Sequence, residues 1–431
     1  MLALAPGDVV EVSETLEAKL AREPASRNTA MPDEIVAMVK STCSSAVKSA
    51  PCKTKPKQAS EIAEKMWPKI ARAAQLLLYK LYCAAPVIVR YHNDIDGASG
   101  AYALYTAAKS IGLESGITWQ MHKGIAYSES DAQTDMLLAG TYESLEKPLL
   151  LITDFGTTEE SNSGIRTLNS EFDIIWLDHH PVVEGFSGVA LDHYINPWLF
   201  GGDSNFTAGF LASLLACSFG SVDLELISQA SFIGDYSDYA KPKRDSQELA
   251  AILDLLTSDT HAAGSHNENL TPEAIESVLS DDKRRSELLA YANNRIAELL
   301  DSALSSVKVY KTGSTSTYVL DFEKIRNDEE RYPLPGRFAS KLMDRIEELN
   351  NGHAVVLLHF GHYISLRESK SLKGKLDLLE VLQNTKEKLG AEIQSGGGHS
   401  SACSIKLSDE IYKKNVIASI VDGIDKTLQA R

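Results

Sequence analysis

The sequence is short of cysteine. Its five cysteines, at 43, 52, 83, 217 and 403, form no pair with metal-site or redox-motif spacing. That argues against a disulfide framework and a thiolate zinc site, and it predicts a reducing compartment. Long apolar runs are missing as well. The best candidate, residues 73–91, is broken by Lys80 and Arg90, so no membrane span is expected. The opening MLALAPGDVVEVSE has neither a basic n-region nor a long apolar core. No secretory signal is therefore expected, and the chain is predicted to be soluble and cytoplasmic. Positive charge is in deficit, with 43 Lys and Arg against 59 Asp and Glu, a net charge of −16. Such a chain is poorly suited to coating long nucleic acid with its whole surface. It suits an enzyme that concentrates carboxylates around cations and grips a substrate locally. The exception is residues 1–84, with twelve Lys and Arg against nine Asp and Glu. There Lys53, Lys55 and Lys57 could meet phosphate, although a solvated linker is the simpler reading.

What is present is a repeated texture. At 431 residues, two domains plus an accessory segment are expected. Residues 1–84 read as an N-terminal extension, partly helical, with a helix over 61–82 broken at Pro68. Residues 85–240 carry short apolar runs at 86–91, 148–153 and 173–177, separated by helix-like stretches at 97–111 and 207–219. Runs of this kind predict buried parallel strands in an α/β domain. Residues 241–306 read as a helical connector. Residues 307–431 restart the alternation as a smaller α/β domain. Its strands are expected at 316–322, 353–360, 363–366 and 402–407, and its helices at 337–349, 377–389 and beyond Glu410.

The chemistry follows the strands. The first run ends in His92-Asn93-Asp94-Ile95-Asp96-Gly97, the second in Asp154, and the third in Asp178-His179-His180. Ligands of open parallel sheets bind outside the carboxyl ends of strands, so one crevice would receive all seven ionisable residues. Each piece has a bland reading alone, as a helix cap, a turn or a surface pair. Together they would repel without a compensating cation, and mixed carboxylates and imidazoles suit a divalent metal such as Mn²⁺. No GxSxG or P-loop points to another route.

YHNDIDG at 91–97, TDFG at 153–156, LDHHP at 177–181 and FIGDYSD at 232–238 resemble, in order, the motifs of the DHH phosphoesterase family. GGGHSSA at 396–402 resembles the glycine-rich motif of that family's DHH-associated domain, although Ser400 and Ser401 depart from its usual continuation. The resemblance implies a parallel-sheet DHH catalytic domain at 85–240, then a DHH-associated substrate-binding domain at 307–431. It implies two Mn²⁺ ions, with Mg²⁺ or Co²⁺ as substitutes, held by His92, Asp94, Asp96, Asp154, His179 and Asp238. Asp154 would bridge the ions, and Asp235 is the rival for the place of Asp238. Asp178 would orient the imidazoles and His180 would lie near the scissile phosphate. Arg367, Gly396, Gly397, Gly398 and His399 would bind substrate phosphate from the second domain, with the site between two lobes.

Among relatives of this type, the chain looks most like a compact, archaeal-type RecJ homologue. That resemblance implies Mn²⁺-dependent hydrolysis of single-stranded DNA, RNA or short oligonucleotides by a metal-activated water, and allows a replication or repair protein as partner. The alternatives are a mononucleotide or cyclic-dinucleotide phosphoesterase, and a replication-associated scaffold. A complete ligand set favours catalysis over the scaffold.

Overall fold

The computed structural model describes residues 60–429 apart from 145, 221, 266, 267, 328, 329 and 351. It also describes a short antiparallel pair, β1 (Val10–Val12) and β2 (Ala18–Leu20). Lys53, Lys55 and Lys57, with most of the N-terminal extension, lie outside the described residues. The chain divides into two compact units, Met1–Ser280 and Asp281–Arg431.

In the first unit the apolar runs become β3 (Val87–His92), β5 (Leu149–Thr153) and β6 (Asp173–Leu177). With β4 (Ile117–His122) and β7 (His193–Ile195) they form an all-parallel sheet in the order β4-β3-β5-β6-β7. Parallel strands need crossover helices, and these cover both faces. Ile88, Leu150, Ile152 and Trp176 pack with Tyr127, Leu168 and Phe172 on one face. Helices Ile95–Ser110 and Ala208–Phe219 pack closely together on the other. Each fully buried Leu or Ile contributes about 1.5–3 kcal/mol to holding these layers together. This is the parallel α/β architecture expected from the sequence.

Two strands of this sheet, β4 and β7, were not legible in the sequence. β4 alternates buried Ile117 and Trp119 with half-exposed Thr118 and Gln120, as an edge strand does. β7 is only 3 residues long. Pro68 does not break its helix, which runs from Ser60 to Tyr82. A proline inside a helix costs about 3 kcal/mol. Here the buried side chains of Met66, Ile70, Ala73, Ala74, Leu77 and Leu78 offset that cost.

The second unit is a six-stranded mixed sheet in the order β12-β13-β11-β10-β9-β8. Its strands are β8 (Lys308–Thr312), β9 (Thr315–Asp321), β10 (His353–Phe360), β11 (Tyr363–Glu368), β12 (Ile393–His399) and β13 (Ala402–Leu407). Only β9 and β10 pair in parallel. The two faces follow from the two-residue period of a strand. Val356 and Leu358 of β10 pack with Phe338, Leu342 and Ile346 of helix Pro335–Leu349. Val355 and Leu357 pack with Val381 of helix Leu378–Leu389 and Ile420 of helix Lys413–Gln429.

Candidate metal centre

The strand order places a topological switch beside β3. The chain leaves β3 for β4 on one side and later returns to β5 on the other. Crossovers diverge there and leave a crevice at the carboxyl ends of β3 and β5. His92 ends β3, and Asp94 follows as the cap of helix Ile95–Ser110, accepting from the Gly97 N–H at 3.0 Å. His92 Nδ1 lies 2.9 Å from Asp94 Oδ2 and 3.7 Å from Asp154 Oδ2. Burial opposes charge on this imidazole. The neighbouring Asp94 and Asp154 nonetheless carry its pKa well above the ordinary histidine value.

Asp96 lies in the first turn of the same helix and is fully buried. Its carboxylate accepts the N–H groups of Ala208 at 2.7 Å and Gly209 at 2.8 Å, at the start of helix Ala208–Phe219. Ser231 adds a hydroxyl at 2.5 Å. A helix N-terminus favours an anion, so the fold has a reason to keep a carboxylate here. Burial, followed by the charge of Asp235, still raises the Asp96 carboxyl to about 6.

Asp154 follows β5 with φ +72°, a left-handed conformation that Asp and Asn tolerate better than most residues. Its N–H bonds to Leu177 O at 3.0 Å, locking it to the end of β6. Gly156 has φ +93°, and a Cβ there would stand 2.5 Å from the Trp176 ring. The TDFG turn thus needs its glycine for both conformation and space. Burial, then the Asp94 and Asp96 carboxylates, push the Asp154 carboxyl well above the usual range.

The DHH run emerges from β6. Asp178 accepts from the backbone N–H groups of His179 at 2.8 Å and His180 at 3.2 Å, and from His180 Nδ1 at 2.7 Å. Thr157 donates to its other oxygen from both hydroxyl and backbone. Burial works against ionisation of Asp178. His180 and these donors outweigh it and hold the carboxyl below its usual range. An ionised carboxylate only accepts, so His180 carries its proton on Nδ1. His179 Nδ1 lies 2.8 Å from Ser204 O, which likewise assigns the N–H to Nδ1. Its Nε2 then faces Asp235 at 3.1 Å, Asp154 at 3.3 Å and Asp96 at 3.6 Å. Burial opposes charge on this ring too, and Asp154 and Asp235 raise its pKa well above the ordinary value. Both imidazole shifts have one cause: the crevice calls for positive charge at its centre.

Here the geometry departs from the motif match. Asp235, not Asp238, joins the carboxylates around His179. A Cβ on Gly234 would stand 2.7 Å from Ile95, so helix Glu225–Gly234 ends against the turn that carries Asp96. The next residue is thereby delivered to the centre. Asp238, three residues on, is exposed, and its N–H bonds Asn205 Oδ1 at 2.7 Å.

Donor atoms of His92, Asp94 and Asp154 lie within 4.8 Å of one another, as do those of Asp96, Asp154, His179 and Asp235. Asp154 belongs to both groups. Its Oδ2 is buried and makes no hydrogen bond to protein, although buried carboxylate oxygens normally have partners. Four carboxylates and two imidazoles, one imidazole steered by a backbone carbonyl, make a donor set suited to divalent metal ions. The sequence did not reveal Thr157, Ser231, the Ser204 carbonyl or the Ala208 and Gly209 N–H groups. Backbone partners have no residue-type signature.

In the second unit, Arg367 and His399 are both register partners of Ala402, on opposite sides of β13. They therefore share one row of the sheet, two strand spacings or roughly 10 Å apart. Gly396, Gly397 and Gly398 precede His399 on β12. The Arg367 guanidinium donates to Ser340 Oγ at 2.8 Å and to Gly336 O at 3.0 Å. A further acidic group, Asp321, Glu323 and His359, has its own counterions. Lys324 is 3.4 Å from Asp321 and Lys413 is 3.2 Å from Glu323.

Among the described residues no helix is long and apolar enough to cross a membrane. No family model matches the chain. The uncharacterized protein MJ1198 of Methanocaldococcus jannaschii is 23% identical over 418 residues, covering 85% of this chain. The match covers 55% of that relative, so the chain spans about half the length of the curated relative it matches. Among solved structures, the DHH domain of a member of a ribosomal-protein family aligns with a TM-score of 0.76. It shares 22% identity, over 91% of this chain and 97% of that one. RecJ of Thermus thermophilus in complex with Mn²⁺ aligns at 0.55 with 18% identity, over 87% of this chain and 62% of that one. An exonuclease RecJ bound to manganese aligns at 0.52, also with 18% identity, over 82% of this chain and 93% of that one. The chain has a DHH-family, RecJ-like α/β fold.

Proposed function

We propose that the protein is a divalent-metal-dependent phosphoesterase that hydrolyses phosphodiester bonds of single-stranded nucleic acid or short oligonucleotides, with Mn²⁺ as the working ion. The observation that carries this reading is the pair of ligand groups joined through Asp154. His92, Asp94 and Asp154 would hold one cation, and Asp96, Asp154, His179 and Asp235 the other. Bound there, two divalent cations lower the pKa of a water and neutralise charge on the attacked phosphoryl group.

The chain's own residues supply orientation and proton handling. Asp178 fixes the turn through two backbone N–H groups and sets the His180 ring through Nδ1. That leaves His180 Nε2 as the nitrogen suited to meet a phosphoryl or leaving-group oxygen. The Ser204 carbonyl holds the His179 tautomer that keeps a lone pair on Nε2. Substrate grip is assigned to Arg367, Gly396, Gly397, Gly398 and His399. The shared row of Arg367 and His399 supports this, because donors two strands apart on one row can meet neighbouring phosphates.

The manganese in the two RecJ structures favours that ion. The test is a panel of end-labelled single-stranded DNA, short RNA, blunt duplex, phosphoadenosine phosphate and cyclic dinucleotides, with Mn²⁺ or chelator. Mn²⁺-dependent shortening of single strands in preference to duplex is expected. Full activity in chelator, or hydrolysis of phosphoadenosine phosphate alone, would reject the reading.

A further inference from the structure

Three of the chain's four tryptophans are wholly or partly covered. Trp176 and Trp119 are 0% and 4% exposed, and Trp67 is intermediate. Trp198 is different, at 42% exposed. A polar need does not explain that exposure, because its indole N–H is satisfied from the protein side. It donates to His179 O at 3.0 Å and approaches Ser204 Oγ at 3.3 Å. Ser204 Oγ itself donates to the same His179 carbonyl at 2.8 Å. The indole edge is thus fixed to the backbone of a residue whose ring faces the carboxylate centre, while the residue as a whole stays 42% exposed.

The next loop is tied to the same support. Asn205 accepts from Ser237 Oγ at 2.8 Å through its carbonyl, and from the Asp238 N–H at 2.7 Å through its side chain. The turn so held contains Tyr236, 46% exposed and at φ +53°, directly after Asp235. A non-glycine residue in that conformation costs on the order of 1–3 kcal/mol, and such strain collects at functional sites. Two exposed aromatic residues thus sit on mutually hydrogen-bonded loops, each joined to a residue of the centre.

We propose that Trp198 is a stacking platform for a nucleobase of the bound strand. This rests on the nucleic-acid phosphoesterase reading and adds a base-binding residue to it. Flat, open indoles bind bases without regard to sequence, because every base offers a π-face. The carboxylate centre beside it repels the phosphate backbone unless cations are bound, so the ring supplies the base-directed part of recognition.

The experiment compares full-length wild type, Trp198→Ala and Trp198→Phe on a short deoxyoligonucleotide with Mn²⁺. The same oligomer with abasic terminal nucleotides is the control. Trp198→Ala should raise KM on the normal oligomer by about fivefold to a hundredfold, with Phe restoring much of it. On the abasic oligomer the three proteins should be alike. Oligonucleotide, but not pyrophosphate, should quench wild-type tryptophan fluorescence. Equal KM effects on normal and abasic oligomers would overturn the proposal. So would a Trp198→Ala loss of Mn²⁺ affinity, by calorimetry, that accounts for the change, since the indole would then merely position His179. A wild type that hydrolyses pyrophosphate but no oligonucleotide would reject the parent reading instead.

Discussion

His179 Nε2 stands 3.1 Å from Asp235 Oδ2, closer than to any other carboxylate of the centre. That distance makes Asp235 the proposed last ligand. Asp235→Ala should weaken Mn²⁺ binding by more than the roughly 10–100-fold typical of outer-shell partners, and activity should fall with it. Asp238→Ala should stay near wild type in both. Calorimetric titration of the two variants with Mn²⁺ decides the matter, and the reverse ranking would restore Asp238.

Asp154 belongs to both ligand groups, so its loss should not remove one ion and spare the other. Asparagine tolerates the same left-handed backbone. Asp154→Asn should therefore fold normally while losing turnover and both high-affinity Mn²⁺ sites. Circular dichroism, ion stoichiometry and single-strand hydrolysis test this together. One retained ion of wild-type affinity would show that the carboxylate is not shared.

The TDFG turn offers a stability test. Gly156→Ala places a methyl group 2.5 Å from Trp176 on a backbone at φ +93°. Overpacking and the left-handed conformation together should cost about 2–4 kcal/mol. Urea denaturation should show a lower midpoint with an unchanged slope. A midpoint within error of wild type would mean that the Trp176 ring yields freely.

Glu368 gives the second unit a pH signature. Its Oε2 is buried without a hydrogen-bond partner. Burial, reinforced by Asp377, raises its pKa from 4.5 to about 7. The native state then holds this proton more tightly than the unfolded chain does. The stability it contributes is complete below about 4.5 and lost as pH rises through about 7. Glu368→Gln should flatten that decline. Urea midpoints of both proteins between about pH 5 and pH 8 check it, and parallel curves would refute it.

The parts legible in the sequence were those where one constraint dominates. β3, β5 and β6 are buried on both faces, so their sequences are continuous apolar runs, and the acidic and imidazole residues directly after them stand out. β4 was missed because an edge strand keeps polar residues such as Thr118 and Gln120. Pro68 suggested a break because local propensity cannot see the side chains that hold its helix in place. Asp238 was preferred by motif spacing. Only the packing of Gly234 on Ile95 shows that the chain reaches the centre one residue after the helix ends. The donors that hold Asp96 and the acceptor for His179 are largely backbone groups, which no residue alphabet encodes.

The proposed ligand set would also couple ion binding to assembly of the first unit. His92 comes from the first strand of the parallel sheet, and Asp235 from a helix that follows the whole sheet. A nascent chain that has emerged only as far as β7 holds five of the six donors yet lacks the last, as well as the helix on which Asp96 rests. On the proposed ligand set, metal capture would therefore await helix Glu225–Gly234, and bound ions would clasp the first strand of the parallel sheet to a helix that follows its last. Their binding energy would oppose the separation of those segments, so metal supply in the surroundings would help determine how long the folded protein persists.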